Sequence, residues 1–254
     1  MTIIDRYLEV TGDALAQVRE RQGEAIAAAA RACADSIAGD NLVFTFGTGH
    51  GAFAALETFP RTGTVVGFRP IVETPIAMFH PVLGHYGARQ YRFLHAQEGY
   101  GHAILAAHRL RAHDTVVLFS HSGINAVVLD IATGCAERGM TVIGVTSLPH
   151  SQRVASRHSS GKRLFEVADV VIDTGVPYAD AGLRIAGCEH PLGPTSTVVG
   201  VAIAHAIVAG TAAELVDRGH TPYVMVSPNT AGKRAANEQN DRNYEELWRR
   251  LSSR

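Results

Sequence analysis

The sequence predicts an α/β fold with a doubly wound, mostly parallel five-stranded sheet and helical extensions at both ends. Short apolar runs rich in β-branched and aromatic residues recur along the chain, each with the length of a strand buried on both faces. Segments with apolar residues at helical spacing separate these runs, and this alternation is typical of a parallel sheet covered by helices. The predicted strands lie within 42–46, 64–74, 115–119, 141–146 and 170–172.

The other segments follow from helical spacing and from Gly and Pro. Residues 2–38 predict one long helix, or two joined near Gly12 or Gly23, and Gly39 ends it. Further helices are predicted at 53–59, 97–110, 124–138, 162–168, 198–218 and 244–251, and a last strand at 223–226. Residues 75–95, 147–161 and 176–194 are predicted to be irregular. We therefore divide the chain into a helical extension (1–40), a central domain (41–220) and a C-terminal tail with a helix (221–254).

Composition narrows the class of protein. The net charge of −1 gives no reason to expect nucleic acid or an anionic membrane as a partner. Three widely spaced cysteines indicate neither a disulfide framework nor a Cys-rich metal site. The thirteen histidines show no metal-binding motif, so we expect no metal and no cofactor. With no leader and no apolar run of transmembrane length, a cytoplasmic protein is expected.

A candidate anion site follows the strand at 115–119. The strand runs into Ser120, His121, Ser122 and Gly123, and a helical pattern begins at Ile124. Backbone amides, two hydroxyls and the positive end of a helix dipole then meet at one point, which suits a phosphate group. The alternative is an ordinary strand-to-helix turn in which a serine caps the helix.

A second turn of the same kind follows the strand at 42–46. It contains Gly47, Thr48, Gly49 and His50, and a helix follows. Ligands of doubly wound sheets bind at the carboxyl ends of strands, where the strand order switches, and both turns lie at such ends. The spacing of Gly47, Gly49 and Ala52 also fits a loose dinucleotide fingerprint, with Glu73 as the ribose-binding acid. Alternatively, the glycines only permit tight packing.

Together with the hydroxyl cluster at 195–197, these turns resemble those of the SIS (sugar isomerase) domain family of phosphosugar-binding proteins. Residues 146–185, which include the blocks SRHSSGKRL and VADVVID, look like a single-domain subfamily of it. The resemblance covers roughly residues 1–250. It implies a flavodoxin-like sandwich with active sites at a subunit interface, and hence a homodimer or homotetramer.

The phosphate loop of this family usually reads Ser-Thr-Ser-Gly-x-Ser. Ser120, Ser122 and Gly123 match that pattern, whereas His121 and Asn125 stand at the Thr and last Ser positions. Gly51 stands where the family's first loop usually has a further Ser. The resemblance therefore implies a phosphate grip in which His50, Asn125 and Thr195 or Ser196 replace the missing hydroxyls.

The resemblance also indicates where proton transfer takes place. Glu57 and Arg61 look like the Glu-x-x-x-Arg of phosphoheptose isomerases, in which the Glu transfers a proton, and an exposed i,i+4 ion pair is the alternative. His205 lies near the position of the catalytic His of those enzymes, or is an ordinary core residue. His50, His121 and His158 are further candidates for the general acid. His158 and Lys162 either reach across an interface or belong to a solvated loop.

The function expected is that of an enzyme acting on a hexose- or N-acetylhexosamine 6-phosphate by C2 proton abstraction, as a lyase (dehydratase) or an aldose–ketose isomerase. A non-catalytic phosphosugar sensor is the first alternative, and an NAD(P)-dependent dehydrogenase is the second. The predicted catalytic residues are Glu57 and His205. The predicted substrate-binding residues are Gly47, Thr48, Gly49, His50, Arg61, Ser120, His121, Ser122, Asn125, His158, Lys162, Thr195 and Ser196.

Overall fold

Five parallel strands form the centre of the computed structural model, which describes residues 1–77, 84–230 and 232–254. The strands are β1 (Val43–Gly47), β2 (Phe68–Pro70), β3 (Thr115–Phe119), β4 (Thr141–Thr146) and β5 (Val170–Asp173). Their spatial order is β2-β1-β3-β4-β5, and every pairing is parallel. The doubly wound parallel sheet is therefore confirmed, and its order switches between β1 and β3.

Ten α-helices surround this sheet in the described part of the chain. They are α1 (Ile3–Arg21), α2 (Gly23–Ala38), α3 (Gly51–Glu57), α4 (Thr74–Ala77), α5 (Gly84–Leu94), α6 (Tyr100–Ala106), α7 (Ala126–Ala136), α8 (Leu148–Ser151), α9 (Ser196–Asp217) and α10 (Lys233–Ser252). Two single 3₁₀ turns lie at Leu164–Glu166 and Tyr178–Asp180.

The two faces of the sheet support separate hydrophobic cores. Val117 and Phe119 point to the face that α1, α2, α3 and α9 cover, whereas Val116 and Leu118 point to the face of α6, α7 and α10. This alternation is the two-residue period of a strand, and both faces are apolar because both are buried. Ile37 and Leu247 belong to these cores, so the N- and C-terminal helices both contribute to them.

Several predicted elements differ from those in the structure. The segment predicted to be irregular at 75–95 contains α4 and α5, although 78–83 lie outside the described residues. The expected strand at 223–226 forms one antiparallel bridge, Val65 with Val224, and no strand. The expected C-terminal helix is longer, and the one at 162–168 shrinks to a 3₁₀ turn. The N-terminal segment is two helices that meet at Gln22, next to Gly23, which agrees with one of the predicted arrangements.

α9 is the one helix of the described chain that has the length and apolar composition of a membrane span. It packs closely against α2 and α3, and Val199, Ile203 and Ile207 are buried in the core. Its apolar character is therefore accounted for by its place in the core layer.

Candidate functional site

A cavity of about 230 Å³ lies at the switch point between β1 and β3. The strand register pairs Gly47 with Phe119, so the turns that follow the two strands begin side by side. The cavity lies between these turns, the start of α9 and the chain that follows β4. Seven of the predicted site residues line it: Thr48, His50, Ser120, His121, Ser122, Asn125 and Ser196.

The glycines of the first turn permit close packing rather than amide donation to a ligand. A Cβ on Gly47 would lie 2.4 Å from the backbone of Gly51, and one on Gly51 would lie 2.4 Å from the carbonyl oxygen of Phe119. The amides of Gly49, Gly51 and Ala52 donate to the carbonyls of Ile76, Thr48 and Gly49. These three amides are already used, so they are not open to a pyrophosphate.

Gly47 and Gly49 therefore support the site without lining it. Gly49 has a φ of 57°, and the hydroxyl of Tyr91 lies 2.8 Å from the place its Cβ would occupy. The hydroxyls of Tyr91 and Thr48 are hydrogen-bonded, and burial raises the pKa of Tyr91. Gly49 thus leaves room for a tyrosine that does line the cavity.

The second turn keeps the features of an anion site. Ser120 Oγ accepts a hydrogen bond of 3.1 Å from the amide of Gly123, and the φ of 62° at Gly123 turns the chain into α7. Among the residues that the structure describes, the amides of Ser122 and Asn125 donate to no acceptor. Both residues line the cavity at the positive end of α7, so these donors suit an anion.

The loop at 147–164, which we call the clamp, holds this turn in place through backbone hydrogen bonds. The amide of Leu164 donates to the carbonyl of Gly123 at 2.8 Å, and that of Arg157 donates to the carbonyl of Ile124 at 2.9 Å. Arg157 Nη1 also donates to Asn125 Oδ1 at 3.3 Å, which places a cation beside the cavity. The SRHSSGKRL block therefore fixes the geometry of the anion turn.

His158 and Lys162 belong to this clamp and do not line the cavity. His158 Nε2 lies 3.3 Å from Asp130 Oδ1, and its Nδ1 lies 2.7 Å from Ser160 Oγ. The Asp130 side chain is only 2% exposed and also accepts a hydrogen bond from the amide of Gly101. Lys162 is exposed, and its amide donates to Ser160 Oγ. The histidine ties the loop to α6 and α7.

The start of α9 is occupied by a carboxylate of the chain itself. Asp180 Oδ1 accepts hydrogen bonds from the amides of Thr195 and Ser196 at 2.9 and 3.0 Å, and its Oδ2 accepts one from Ser196 Oγ at 2.5 Å. Thr195 is buried, whereas Ser196 and Asp180 line the cavity. Thr195 and Ser196, which were expected to help hold a phosphate, therefore already donate hydrogen bonds to a carboxylate that caps α9.

Glu57 and His205 meet each other outside this cavity. His205 Nε2 lies 3.2 Å from Glu57 Oε2, and Arg61 is hydrogen-bonded to the same oxygen. The ion pair with Arg61 holds the pKa of Glu57 below its usual value, an effect that burial opposes and His205 reinforces. Glu57 lies on α3 and His205 on α9. Both helices begin at the cavity, and the two residues lie farther along them. The Glu57 and His205 side chains are 36% and 39% exposed.

The cavity-lining residues that sequence reasoning missed include Tyr91, His150 and Asp180. His150 follows the carboxyl end of β4, and Asp180 follows that of β5, so the rule that ligands bind at strand ends signals both. Tyr91 lies on a helix within the segment predicted to be irregular, and no sequence signal marks it. The described residues contain no group of three or more His, Cys, Asp or Glu side chains placed to hold a metal.

Comparisons with known proteins agree with this fold. The model of the SIS domain matches residues 6–147. A UPF0309 protein of Listeria monocytogenes serotype 4b (strain CLIP80459) is 33% identical over 236 residues, which cover 93% of each chain.

Two solved structures share the fold. A phosphoheptose isomerase from Francisella tularensis has a TM-score of 0.54 at 18% identity, with 83% of this chain and 98% of that chain covered. The NanR protein of Vibrio vulnificus, complexed with ManNAc-6P, has a TM-score of 0.53 at 11% identity, with 96% and 69% covered. The chain therefore belongs to the SIS domain family and, within it, to the UPF0309 proteins.

Proposed function

We propose that the protein is an enzyme that binds a hexose- or N-acetylhexosamine 6-phosphate and removes its C2 proton, as an isomerase or a lyase. The observation that carries this proposal is the anion turn, where Ser122 and Asn125 line the cavity at the start of α7 and their amides have no acceptor among the described residues. The hydroxyls of Ser120 and Ser122 add donors, and Arg157 adds a nearby positive charge. A phosphate dianion suits these groups, because its oxygens accept hydrogen bonds and its charge is opposite to that of Arg157.

The size of the cavity favours a small ester. At about 230 Å³ it is smaller than the roughly 300–1,000 Å³ typical of sites for drug-sized ligands. This argues against a dinucleotide, as does the internal use of the amides of Gly49, Gly51 and Ala52. Glu73, the expected ribose-binding acid, instead accepts a hydrogen bond from the hydroxyl of Tyr100. The dehydrogenase alternative therefore has little support.

We assign C2 proton abstraction to Glu57, with His205 as its partner, acting on the cavity of a second copy. The lowered pKa of Glu57 keeps it a carboxylate at neutral pH, as a base requires. Exposed apolar side chains lie on the same two helices or just after α3: Phe53, Phe59 and Val198 are 41%, 47% and 43% exposed. Such a surface suits contact with another protomer. A homodimer or homotetramer is thus part of the proposal.

The test is incubation with N-acetylglucosamine 6-phosphate, N-acetylmannosamine 6-phosphate and related esters, with products followed by NMR. A ketose or an unsaturated sugar is expected. Glu57→Gln is expected to lower kcat by about 10²–10⁴-fold, the usual contribution of a positioned base. Glu20→Gln, on the exposed side of α1, serves as the matched control. No turnover of any ester, together with no effect of Glu57→Gln, would remove the proposal.

The phosphate grip has its own test. Ser122→Ala is expected to weaken binding of the ester about 10–100-fold, because a hydrogen bond to a charged group contributes about 1.5–3 kcal/mol. Ser252→Ala, which changes an exposed hydroxyl outside this cavity, is expected to leave Kd unchanged. Isothermal titration calorimetry measures both. Equal affinities would place the phosphate elsewhere.

A non-catalytic phosphosugar sensor is the second candidate. The fold is shared with NanR, which is seen with ManNAc-6P, and a cavity of this kind binds an ester whether or not a reaction follows. A sensor predicts a rise in Tm with sugar phosphates and no product after long incubation. At a ligand concentration of 100 Kd the gain is about 2.7 kcal/mol, or about 5–10 °C for a chain of this size.

A further inference from the structure

Within the described residues, the imidazole of His121 is a buried side chain of the cavity that lacks hydrogen bonds. Both of its ring nitrogens are buried, and neither has a hydrogen-bond partner among the described residues. The side chain lines the cavity beside Ser120 and Ser122. A buried donor and acceptor left without partners are costly, so this ring is expected to pair with something that enters the cavity.

The position of His121 is fixed from behind. Its carbonyl accepts hydrogen bonds from the amide of Ser147 at 3.0 Å and from Thr146 Oγ1 at 3.2 Å. Its ring packs against that of His150, with centroids 4.6 Å apart at 59°. His150 is itself stacked on Tyr178 at 5.0 Å and 19°. The imidazole thus meets a ligand in one orientation.

Burial favours the neutral form of both histidines. Burial lowers the pKa of His121 and of His150, and the carboxylate of Asp180 opposes this effect in each. The amide of Ala179 donates to His150 Nδ1 at 3.0 Å, which places the proton of His150 on Nε2. A neutral imidazole donates from one nitrogen and accepts at the other, so His121 offers a ligand both functions at once.

The lining of the cavity also contains a carboxylate. Asp180 lines the cavity, and Ala179 and Asp180 hold left-handed φ angles of 66° and 53°. Non-glycine residues in that region are strained, and such strain persists where the surroundings enforce it. Asp180 repels a second anion, so the part of the ligand beside His121 is expected to carry hydroxyl and carbonyl oxygens rather than another phosphate.

We infer that His121 is a catalytic residue that moves protons between the C1 and C2 oxygens of an aldohexose 6-phosphate, whose C2 carries a hydroxyl group; this assignment rests on the proposed function. As the base takes the proton from C2, the imidazole N–H gives a proton to the carbonyl oxygen at C1, and an enediol forms. The imidazole then takes the proton from the C2 hydroxyl, the C2 carbonyl forms, and the base returns its proton to C1. Atoms and charge balance without a cofactor.

The first test compares His121→Gln with His190→Gln, a change at an exposed histidine outside the cavity. H121Q is expected to lower kcat by about 10²–10⁴-fold, with Kd for the ester close to that of the wild type. H190Q is expected to retain both values. Unchanged kcat in H121Q overturns the assignment. A loss in kcat/KM that a rise in Kd fully explains also overturns it, because His121 would then only help to bind the phosphate.

A second measurement does not depend on a folded variant. In ¹⁵N NMR of the wild-type protein, the ring signals of His121 are expected to report a neutral imidazole and to shift when the ester is added. Binding of the ester without such a shift overturns the assignment. If the wild type neither binds nor converts any ester, the proposed function fails and His121 loses its role with it. If the wild type turns over and H121Q matches it, only the assignment of His121 fails.

Discussion

Gly51→Ala tests whether the two turns must touch for the cavity to exist. The Cβ of an alanine at this position would lie 2.4 Å from the carbonyl oxygen of Phe119, which is 1.0 Å less than the 3.4 Å at which ordinary contact begins. The obstacle is backbone at the end of β3, so a side-chain rotation cannot relieve it. The first turn of α3 must therefore move away from β3.

The expected cost follows from this overlap. Overpacking of a well-packed site costs about 1–3 kcal/mol, and the replacement of a helical glycine returns at most about 0.5–1 kcal/mol. A net loss of about 1–2 kcal/mol lowers Tm by about 2–8 °C in a protein of this size. Because Gly51 lines the cavity, the affinity for a sugar phosphate is expected to fall as well.

Gly12→Ala is the matched control. Gly12 lies within α1 and is exposed, and a Cβ there meets nothing within 4 Å. This change is expected to raise the free energy of unfolding by about 0.5–1 kcal/mol. Urea denaturation followed by circular dichroism measures both variants. If Gly51→Ala proves as stable as Gly12→Ala and binds ligand normally, close packing of α3 on β3 does not shape the site.

Three further predictions concern buried groups. Asp114→Ala breaks an ion pair with Arg254 in which the side chains are 0% and 1% exposed. It is expected to lower the free energy of unfolding, measured by urea denaturation, by about 3–5 kcal/mol. The control Asp13→Ala, at an exposed position, should leave that free energy almost unchanged, and equal losses in the two variants would contradict the reasoning. Burial lowers the pKa of His95, so below about pH 6.5 the unfolded chain binds more protons and the free energy of unfolding falls. His95→Gln should reduce that slope between pH 7 and 5.5, and an unchanged slope would speak against a neutral His95. A thiol reagent at pH 8 should modify one cysteine in the folded protein and all three after unfolding. The reason is that burial raises the pKa of two of the thiols to about 12. Rapid reaction of a second thiol in the folded protein would contradict this prediction. The exposed cysteine is Cys188, and the buried ones are Cys33 and Cys135.

The sequence alone determined the architecture of the sheet. Each central strand is a short apolar run that ends in Gly or a small hydroxyl residue and leads into a helix, so its place and its parallel pairing follow from local pattern. The same pattern predicted the two turns, Gly47–Gly51 and Ser120–Gly123. The rule that ligands bind at the carboxyl ends of strands predicted that the two turns lie in one site. Both turns lie where that rule places them, at the β1/β3 switch point.

Local pattern did not determine what the helices and loops do. α5 was missed because Gly and Pro suggested irregular chain, and with it Tyr91, whose place in the cavity depends on packing against Gly49. The hydrogen bond between His158 and Asp130 joins residues 28 positions apart. The hydrogen bonds by which Asp180 caps α9 join residues 15 and 16 positions apart. No short sequence motif connects either set.

Only the tertiary structure decided which polar groups remain open. Whether an amide, an imidazole or a carboxylate is available to a ligand depends on every neighbour that could pair with it, and those neighbours come from distant parts of the chain. In the described part of the chain, the amide of Ser122 and the imidazole of His121 have no partner, whereas the amides of Thr195 and Gly49 are already paired. The sequence specified the kinds of groups at the strand ends, and folding selected those that face the cavity without a partner.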